Sequence, residues 1–320
     1  MMRGVYMSTL LDNPYVTTDE PEVKLAPIFN AYLTRLMLRG TKQQGLKNFL
    51  RAAVQFTAWC DEGGIDPLAV GAIDLFNYFE QAHGPNGEPY ADGTKRLHYV
   101  QLRGAYTYAR DLGTEGLPAR AWYADFVVKG KADSVPEVIP SAVLGDLLRN
   151  APTARHHALL VMLAFTGMRM DEIRRARWED IDYQTHCLHV IGKGGKARVV
   201  PIHPKLAEVL YTLRDSHGFT DERRNGPIIY TTTSNRDHRH FASPSAFERF
   251  LTAAGSPYSF HYYRRTVGSS LSANEVEESI IFKMLGWSAR TVFARHYQNV
   301  SPAQLHKAIQ KLYLDAPLGI

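Results

Sequence analysis

The stretch Cys187–His203, CLHVIGKGGKARVVPIH, breaks the pattern of everything around it. On either side, apolar residues recur three and four apart, as on one face of a helix. Here two β-rich runs, Leu188–Ile191 and Ala197–Ile202, flank Lys193-Gly194-Gly195-Lys196. Glycines between two such runs mark a tight reversal, so the segment is expected to form a hairpin. The fold class that follows is mainly α, with a small antiparallel sheet interrupting a helical domain.

Outward from the hairpin, the apolar spacing predicts helices over Ser141–Asn150, Arg155–Thr166 and Asp171–Ala176 before it. After it, the same spacing predicts Lys205–Leu213, Pro244–Ala254, Tyr262–Leu271, Ser279–Leu285 and Ser301–Leu314. Together these form a domain over 141–320 that ends in a C-terminal helix. Upstream, Val127–Pro140 (VVKGKADSVPEVIP) interrupts both periods with Gly, Ser and two prolines and reads as an interdomain linker. Residues 27–126 read as a small all-α unit. Ile28–Arg39 ends at Gly40, and Thr41 is the expected N-cap of a helix that buries Leu46, Phe49, Leu50, Ala53, Phe56 and Cys60. Ala72–His83 and Thr94–Leu112 follow, the second carrying Lys95, Arg96, Arg103 and Arg110 with Tyr99, Tyr106 and Tyr108 between them. The acidic residues 1–26 are expected to be a flexible leader.

Composition bounds the function. At 320 residues and 45% hydrophobic content the chain is too apolar to be disordered and long enough for two cores. The net charge of +5 divides into about −1 before Lys131 and about +6 from there on. That excess is compatible with a polyanionic partner without requiring one. Cys60 and Cys187 stand far apart with no CxxC or Cys/His spacing, which argues against a disulfide scaffold, a zinc site or a thiol nucleophile and fits a reducing cytoplasm. No apolar run approaches the roughly 18 residues of a membrane span.

The chemistry-bearing residues gather in four segments of the second domain. They are TGMRMDEIRRARWEDID with Arg169, the hairpin with Lys193, FHYYRRT with His261 and Arg264, and MLGWSARTVFARHYQ with Trp287 and Tyr297. These are cations, hydrogen-bond donors and one phenol. Two arginines can clamp the non-bridging oxygens of a phosphate bidentately, a lysine can serve a leaving oxygen, and a tyrosine can attack phosphorus once it loses its proton. Taken singly, each has a structural reading: Arg169 with Glu172 as a surface ion pair, the lysines as solvated turn residues, His261 and Tyr297 as core. His238 and His240 hint at a metal but lack a third ligand, and a polar loop is the preferred reading.

Those four segments, in that order and at nearly those intervals, resemble the tyrosine recombinases, the group of phage integrases and the Xer- and Cre-type enzymes. The resemblance is clear over about Val138–Leu314 and weak over Pro27–Gly113. It implies catalytic roles for Arg169, Lys193, His261, Arg264, Trp287 and the nucleophile Tyr297, with Glu172 orienting Arg169. Three departures stand out: Arg265 where many members have His, Trp287 where His is commoner, and one extra residue between Trp287 and Tyr297. The implied architecture is a C-shaped clamp of a helical core-binding domain and a catalytic domain around duplex DNA, with Lys95, Arg96, Arg103, Lys196 and Arg265 as DNA contacts. The implied activity is site-specific recombination through a 3′-phosphotyrosine and a Holliday junction. It would need neither metal nor ATP nor any other cofactor. The protein would be a tetramer on DNA and a monomer when free, with accessory DNA-bending or directionality proteins as further partners, in a nucleoid-associated, cytoplasmic setting. A type IB topoisomerase and a non-catalytic DNA-binding descendant are the alternatives. The apolar face of Leu305, Ile309, Leu312 and Tyr313 is expected to dock on an adjacent subunit in the DNA-bound assembly, with packing on its own domain as the alternative and as a reading of the DNA-free monomer.

Overall fold

The computed structural model describes residues 25–84, 87–117, 137–192, 195, 197–216, 225–232, 238–287, 300–314 and 317–318. The chain divides into two compact units, Met1–Ser134 and Val135–Ile320. The first contains α1 (Pro27–Leu38), α2 (Gln43–Gly63), α3 (Ala72–Gln81) and α4 (Asp92–Asp111). Their apolar stripes meet around Phe29, whose ring stands edge-on to Phe49, Phe56 and Tyr106 at centroid distances of 6.4, 6.0 and 6.0 Å. Such aromatic pairs each add about 0.5–1.5 kcal/mol beyond the area they bury. Tyr99 and Tyr106 are core residues, and the Tyr106 hydroxyl donates to the Pro67 carbonyl at 2.6 Å. Thr41 is not the cap of α2. Its N–H closes the preceding turn on the Leu36 carbonyl, and Lys42 takes the N-cap position without a side-chain bond.

The second unit runs α5 (Ser141–Arg149), α6 (Ala154–Thr166), α7 (Met170–Arg175), a 3-10 turn (Trp178–Asp180), β1 (Ile181–Asp182), β2 (Cys187–Ile191), β3 (Ala197–Pro201), α8 (Pro204–Ser216), β4 (Thr231–Thr232), β5 (His238–Arg239), α9 (Pro244–Ala253), α10 (Phe260–Ala273), α11 (Glu278–Leu285) and α12 (Pro302–Ile309). From Ala158 to Thr166, α6 is buried on every side, as a helix apolar all round must be, and it packs on α5, α8, α9 and α10. The expected hairpin forms: β2 and β3 pair antiparallel from Cys187↔Pro201 to Ile191↔Ala197. β1 adds to the free side of β2 to give the order β1-β2-β3. The two-residue strands β1, β4 and β5 have no counterpart among the expected elements, because two residues display no period. Among the described residues no helix is long and apolar enough to cross a membrane.

Two further findings bear on the expectations. Residues expected to close the linker belong to the second unit: Ile139 is buried in its core with its N–H on Thr266 Oγ1 at 2.9 Å, and the Tyr262 hydroxyl donates to Glu137 Oε2 at 2.6 Å. In the single chain the C-terminal stripe packs on its own unit, the arrangement expected as the alternative to docking on a neighbour in the DNA-bound assembly. Ser301 caps α12 reciprocally with Gln304, and Leu305, Ala308, Ile309, Leu312 and Tyr313 are all buried. The Tyr313 hydroxyl donates to the Ala164 carbonyl at 2.7 Å, and His306 Nε2 lies 2.8 Å from the Thr185 carbonyl. The helix stops at Ile309, short of the expected Leu314, because the chain turns to drive Tyr313 into this core at φ 59°.

Candidate active site

The site begins where α6 ends. Gly167 and Met168 lead to Arg169, the N-cap of α7, and Glu172 lies one turn in. The Glu172 carboxylate accepts the Arg169 backbone N–H at 2.8 Å and Arg169 Nη1 at 3.0 Å, so one side chain both caps the helix and aims the arginine. A second guanidinium reaches it from β3: Arg198 Nη2 donates to Glu172 Oε2 at 2.7 Å. Glu172 is only 5% exposed and the Arg198 side chain 7%. A buried carboxylate is therefore shared between two arginines.

The C-terminus of α11 is the opposite wall. The last carbonyls of a helix have no partner within it and form its negative end. Here three consecutive ones are each taken by an arginine from a different element. Arg198 Nη1 donates to the Met284 carbonyl, Arg264 Nη2 to that of Leu285, and Arg169 Nη2 to that of Gly286 at 2.6 Å. Arg264, on α10 and buried, also donates to the Gly167 carbonyl at 2.8 Å. Trp287 follows directly. Its ring lies 5.4 Å from the Arg264 guanidinium, stands edge-on to Phe282, and covers Gly268, where a side chain would come within 3.0 Å of it. Trp287 remains 39% exposed, the Arg169 side chain is 31% exposed, and His261, one turn before Arg264, is exposed. The clamp is thus dry at its base and open at its rim.

Three guanidinium groups against one carboxylate leave a net positive site. Burial alone would push the Glu172 carboxyl up, but hydrogen bonds and charge from Arg198 and then Arg169 outweigh it and hold it below the usual carboxylate range. Burial, then the charges of Arg169 and Arg198, push the Arg264 guanidinium down to about 9, with Glu172 opposing. An anion arriving at the open rim relieves that repulsion. The chemistry built in is recognition of a tetrahedral anion and dispersal of charge developing on it.

Of the residues expected at the site, Arg169, Glu172, Arg264 and Trp287 come together, and His261 sits on the same helix as Arg264. Lys193, Lys196 and Tyr297 lie outside the described residues. Among the expected DNA contacts, Lys95 reaches Glu80 at 3.5 Å, Arg96 and Arg103 are exposed, and Arg265 is exposed with its guanidinium 5.6 Å over the Tyr262 ring. His238 stacks on Tyr230 and His240 Nδ1 lies against the Arg174 carbonyl. Among the described residues no group of three or more His, Cys, Asp or Glu could hold a metal ion. Arg198 is the site residue that the sequence pattern does not single out. Its signal is the two-residue period itself: Arg198, Val200 and Ile202 share a face, and two apolar partners turn that face inward.

Comparison with known proteins agrees with this geometry. The model of the phage integrase family matches residues 137–304. Tyrosine recombinase XerA of Pyrococcus horikoshii is 23% identical over 306 residues, which cover 92% of this chain and 97% of that protein. Prophage integrase IntF of Escherichia coli is 29% identical over 156 residues, 48% of this chain, and the match spans only 33% of that relative's length. A lambda integrase tetramer crystallised on a Holliday junction has the same fold at TM-score 0.57 and 16% identity, covering 94% of this chain and 90% of that one.

Proposed function

Because the chain belongs to the phage integrase family and is a site-specific DNA recombinase of the tyrosine type, we propose that Tyr297 is its nucleophile and that the arginine clamp holds the scissile phosphate. The Tyr297 oxygen attacks phosphorus as the bond to the 5′ oxygen breaks. This leaves a 3′-phosphotyrosine, and the 5′ oxygen takes a proton from Lys193. Arg169 and Arg264 turn from backbone carbonyls to the non-bridging oxygens, the Trp287 indole N–H donates to one of them, and His261 assists the proton leaving Tyr297. The freed 5′-hydroxyl then attacks the phosphotyrosine of a partner duplex by the reverse step. Each bond broken is matched by one formed, so exchange needs no outside energy source. Four protomers pass strands through a Holliday junction, with Arg96, Arg103, Lys196 and Arg265 meeting the DNA backbone. Accessory proteins that bend DNA or set direction are expected partners.

The observation that supports this reading is the clamp: three arginines around one buried carboxylate, open on one side. The family favours recombination over a type IB topoisomerase or a non-catalytic descendant. The test is Tyr297→Phe on a nicked duplex selected by the wild-type protein from random-sequence DNA. Covalent adducts on a denaturing gel should vanish while site binding persists. An adduct that survives the substitution assigns the nucleophile elsewhere.

A further inference from the structure

We propose that Arg198 is a positioning residue of the cleavage reaction. Through Glu172 it aims Arg169, and through the Met284 carbonyl it sets the turn Leu285–Trp287 that leads toward the tyrosine. The inference rests on the functional reading above and adds a residue to it. Three observations carry it. First, one guanidinium ties three separate pieces of chain: its own strand β3, α7 through Glu172, and the end of α11. Arg198 is buried and its Nη2 is held by a carboxylate, whereas Arg264 holds only backbone carbonyls and Arg169 is open to the rim, so Arg198 is placed behind the phosphate ligands rather than among them.

Second, the residue is a poor choice for stability alone. Among the described residues Arg198 Nε is buried without a hydrogen-bond partner, a loss of about 1–3 kcal/mol. The inward face it shares with Val200 and Ile202 would accept an apolar side chain of similar volume at least as well. A charged group kept at such a position points to work done on its neighbours. Third, the turn is shaped around it. A side chain at Gly286 would lie 2.8 Å from Arg198 Cδ and 2.9 Å from Nε, so the arginine crosses directly beneath the residue whose carbonyl Arg169 holds. Lysine cannot substitute, because its single nitrogen cannot donate to Glu172 and Met284 in the fork geometry of a guanidinium.

The test compares wild type, Arg198→Lys and the apolar Arg198→Met on the same nicked duplex in single-turnover cleavage. Site affinity and thermal unfolding are measured alongside. Arg198→Lys should bind the duplex as wild type does, unfold at nearly the same temperature, and cleave about 10²-fold more slowly, the loss expected when a catalytic group is misplaced by about 1 Å. An Arg198→Met protein that folds, binds the site and cleaves as slowly supports the proposal equally. A bridging 5′-phosphorothiolate, which needs no proton on the leaving group, should restore Lys193→Ala but neither Arg198 variant. Wild-type cleavage by Arg198→Lys overturns the proposal. So does rescue by the phosphorothiolate, which would move Arg198 to the leaving-group arm. Parallel loss of binding, stability and cleavage in both variants overturns it as well, because that is what a residue serving only the fold would give. If wild type itself forms no adduct through Tyr297, the functional reading fails instead, and the two failures are distinct.

Discussion

Two helix ends in this protein are locally the same and do different things. α2 stops at Gly64 with φ 63° and α11 at Gly286 with φ 62°. In each, the glycine N–H returns to a carbonyl three residues back and the next N–H to one five back: Gly64 to Asp61 and Ile65 to Cys60, Gly286 to Lys283 and Trp287 to Phe282. This is the left-handed cap that glycine supplies most readily. Around Gly64 the chain is exposed and none of the described residues lies within 4 Å of where a side chain would project. Around Gly286 the same space holds Arg198 and Arg169, and the helix's last carbonyls are gripped by three arginines. The local signal stops a helix in both places. What makes one of them a wall of the proposed site is charge delivered from distant segments.

The sharpest way to break the contrast is to remove the carboxylate that holds the arginine wall together. Glu172→Ala takes the hydrogen-bonded carboxylate from Arg169 and Arg198 and the nearby counter-charge from Arg264. It should lower the stability of the second unit by about 3–5 kcal/mol, the usual result of removing one partner of a buried ion pair, and abolish cleavage. Denaturant unfolding and the suicide-substrate assay measure the two effects. A loss no larger than that of an exposed helix pair would mean that the wall is held by packing and that its charges are incidental.

Acid should separate the two regions in a set order. In the first unit His98 is buried between the Tyr78 hydroxyl, 3.3 Å from Nδ1, and the Tyr90 ring; burial, then the charge of Arg51, push it from 6.5 down to about 4. The unfolded chain binds a proton there before the folded one does, so this unit loses stability as pH falls from about 6.5 to about 4, by about 3 kcal/mol in all. Glu172 carries the opposite charge type with a lowered folded value. Its contribution is complete above the ordinary carboxylate range and is lost only as pH falls through that lowered value. Burial also lowers His156 and His203 in the second unit, but less than it lowers His98, so the helical unit should loosen first on acidification, read by limited proteolysis between pH 7 and pH 4, and His98→Gln should flatten that dependence. Simultaneous opening of both units would show that His98 is not what sets the order.

How much of this is visible in the sequence follows from range. Gly64 and Gly286 are legible as stops because a cap is local. The hairpin is legible because its period differs from its surroundings, and Arg169, Glu172, Arg264 and Trp287 are legible because they lie in segments with a family pattern. Arg198 lies in the hairpin itself and still escapes notice, because a turn signal points to the residues in the turn and not to the face each strand residue takes. The tail is ambiguous for the complementary reason. An apolar stripe on α12 announces a partner but not whose surface it is, and only the tertiary structure shows Tyr313 reaching the Ala164 carbonyl.

The smallest effect offers the cleanest comparison, because one substitution can be made at both helix ends. Alanine at Gly64 meets no neighbour and is strained only by its backbone, where a left-handed conformation costs an L-residue about 1–2 kcal/mol. It should lower the stability of the first unit by that amount and leave cleavage unchanged. Alanine at Gly286 carries the same backbone strain and in addition places its methyl 2.8 Å from Arg198 Cδ, 2.9 Å from Arg198 Nε and 3.3 Å from Arg169 Nη1. Arg198 cannot swing away without releasing Glu172 or Met284, so the turn or the arginine must move by a few tenths of an ångström. The expected outcome is a similar or slightly larger loss of stability, with slower cleavage at Gly286 alone. Matched cleavage rates for the two variants would dissolve the distinction between a helix that merely stops and one that stops against the arginines.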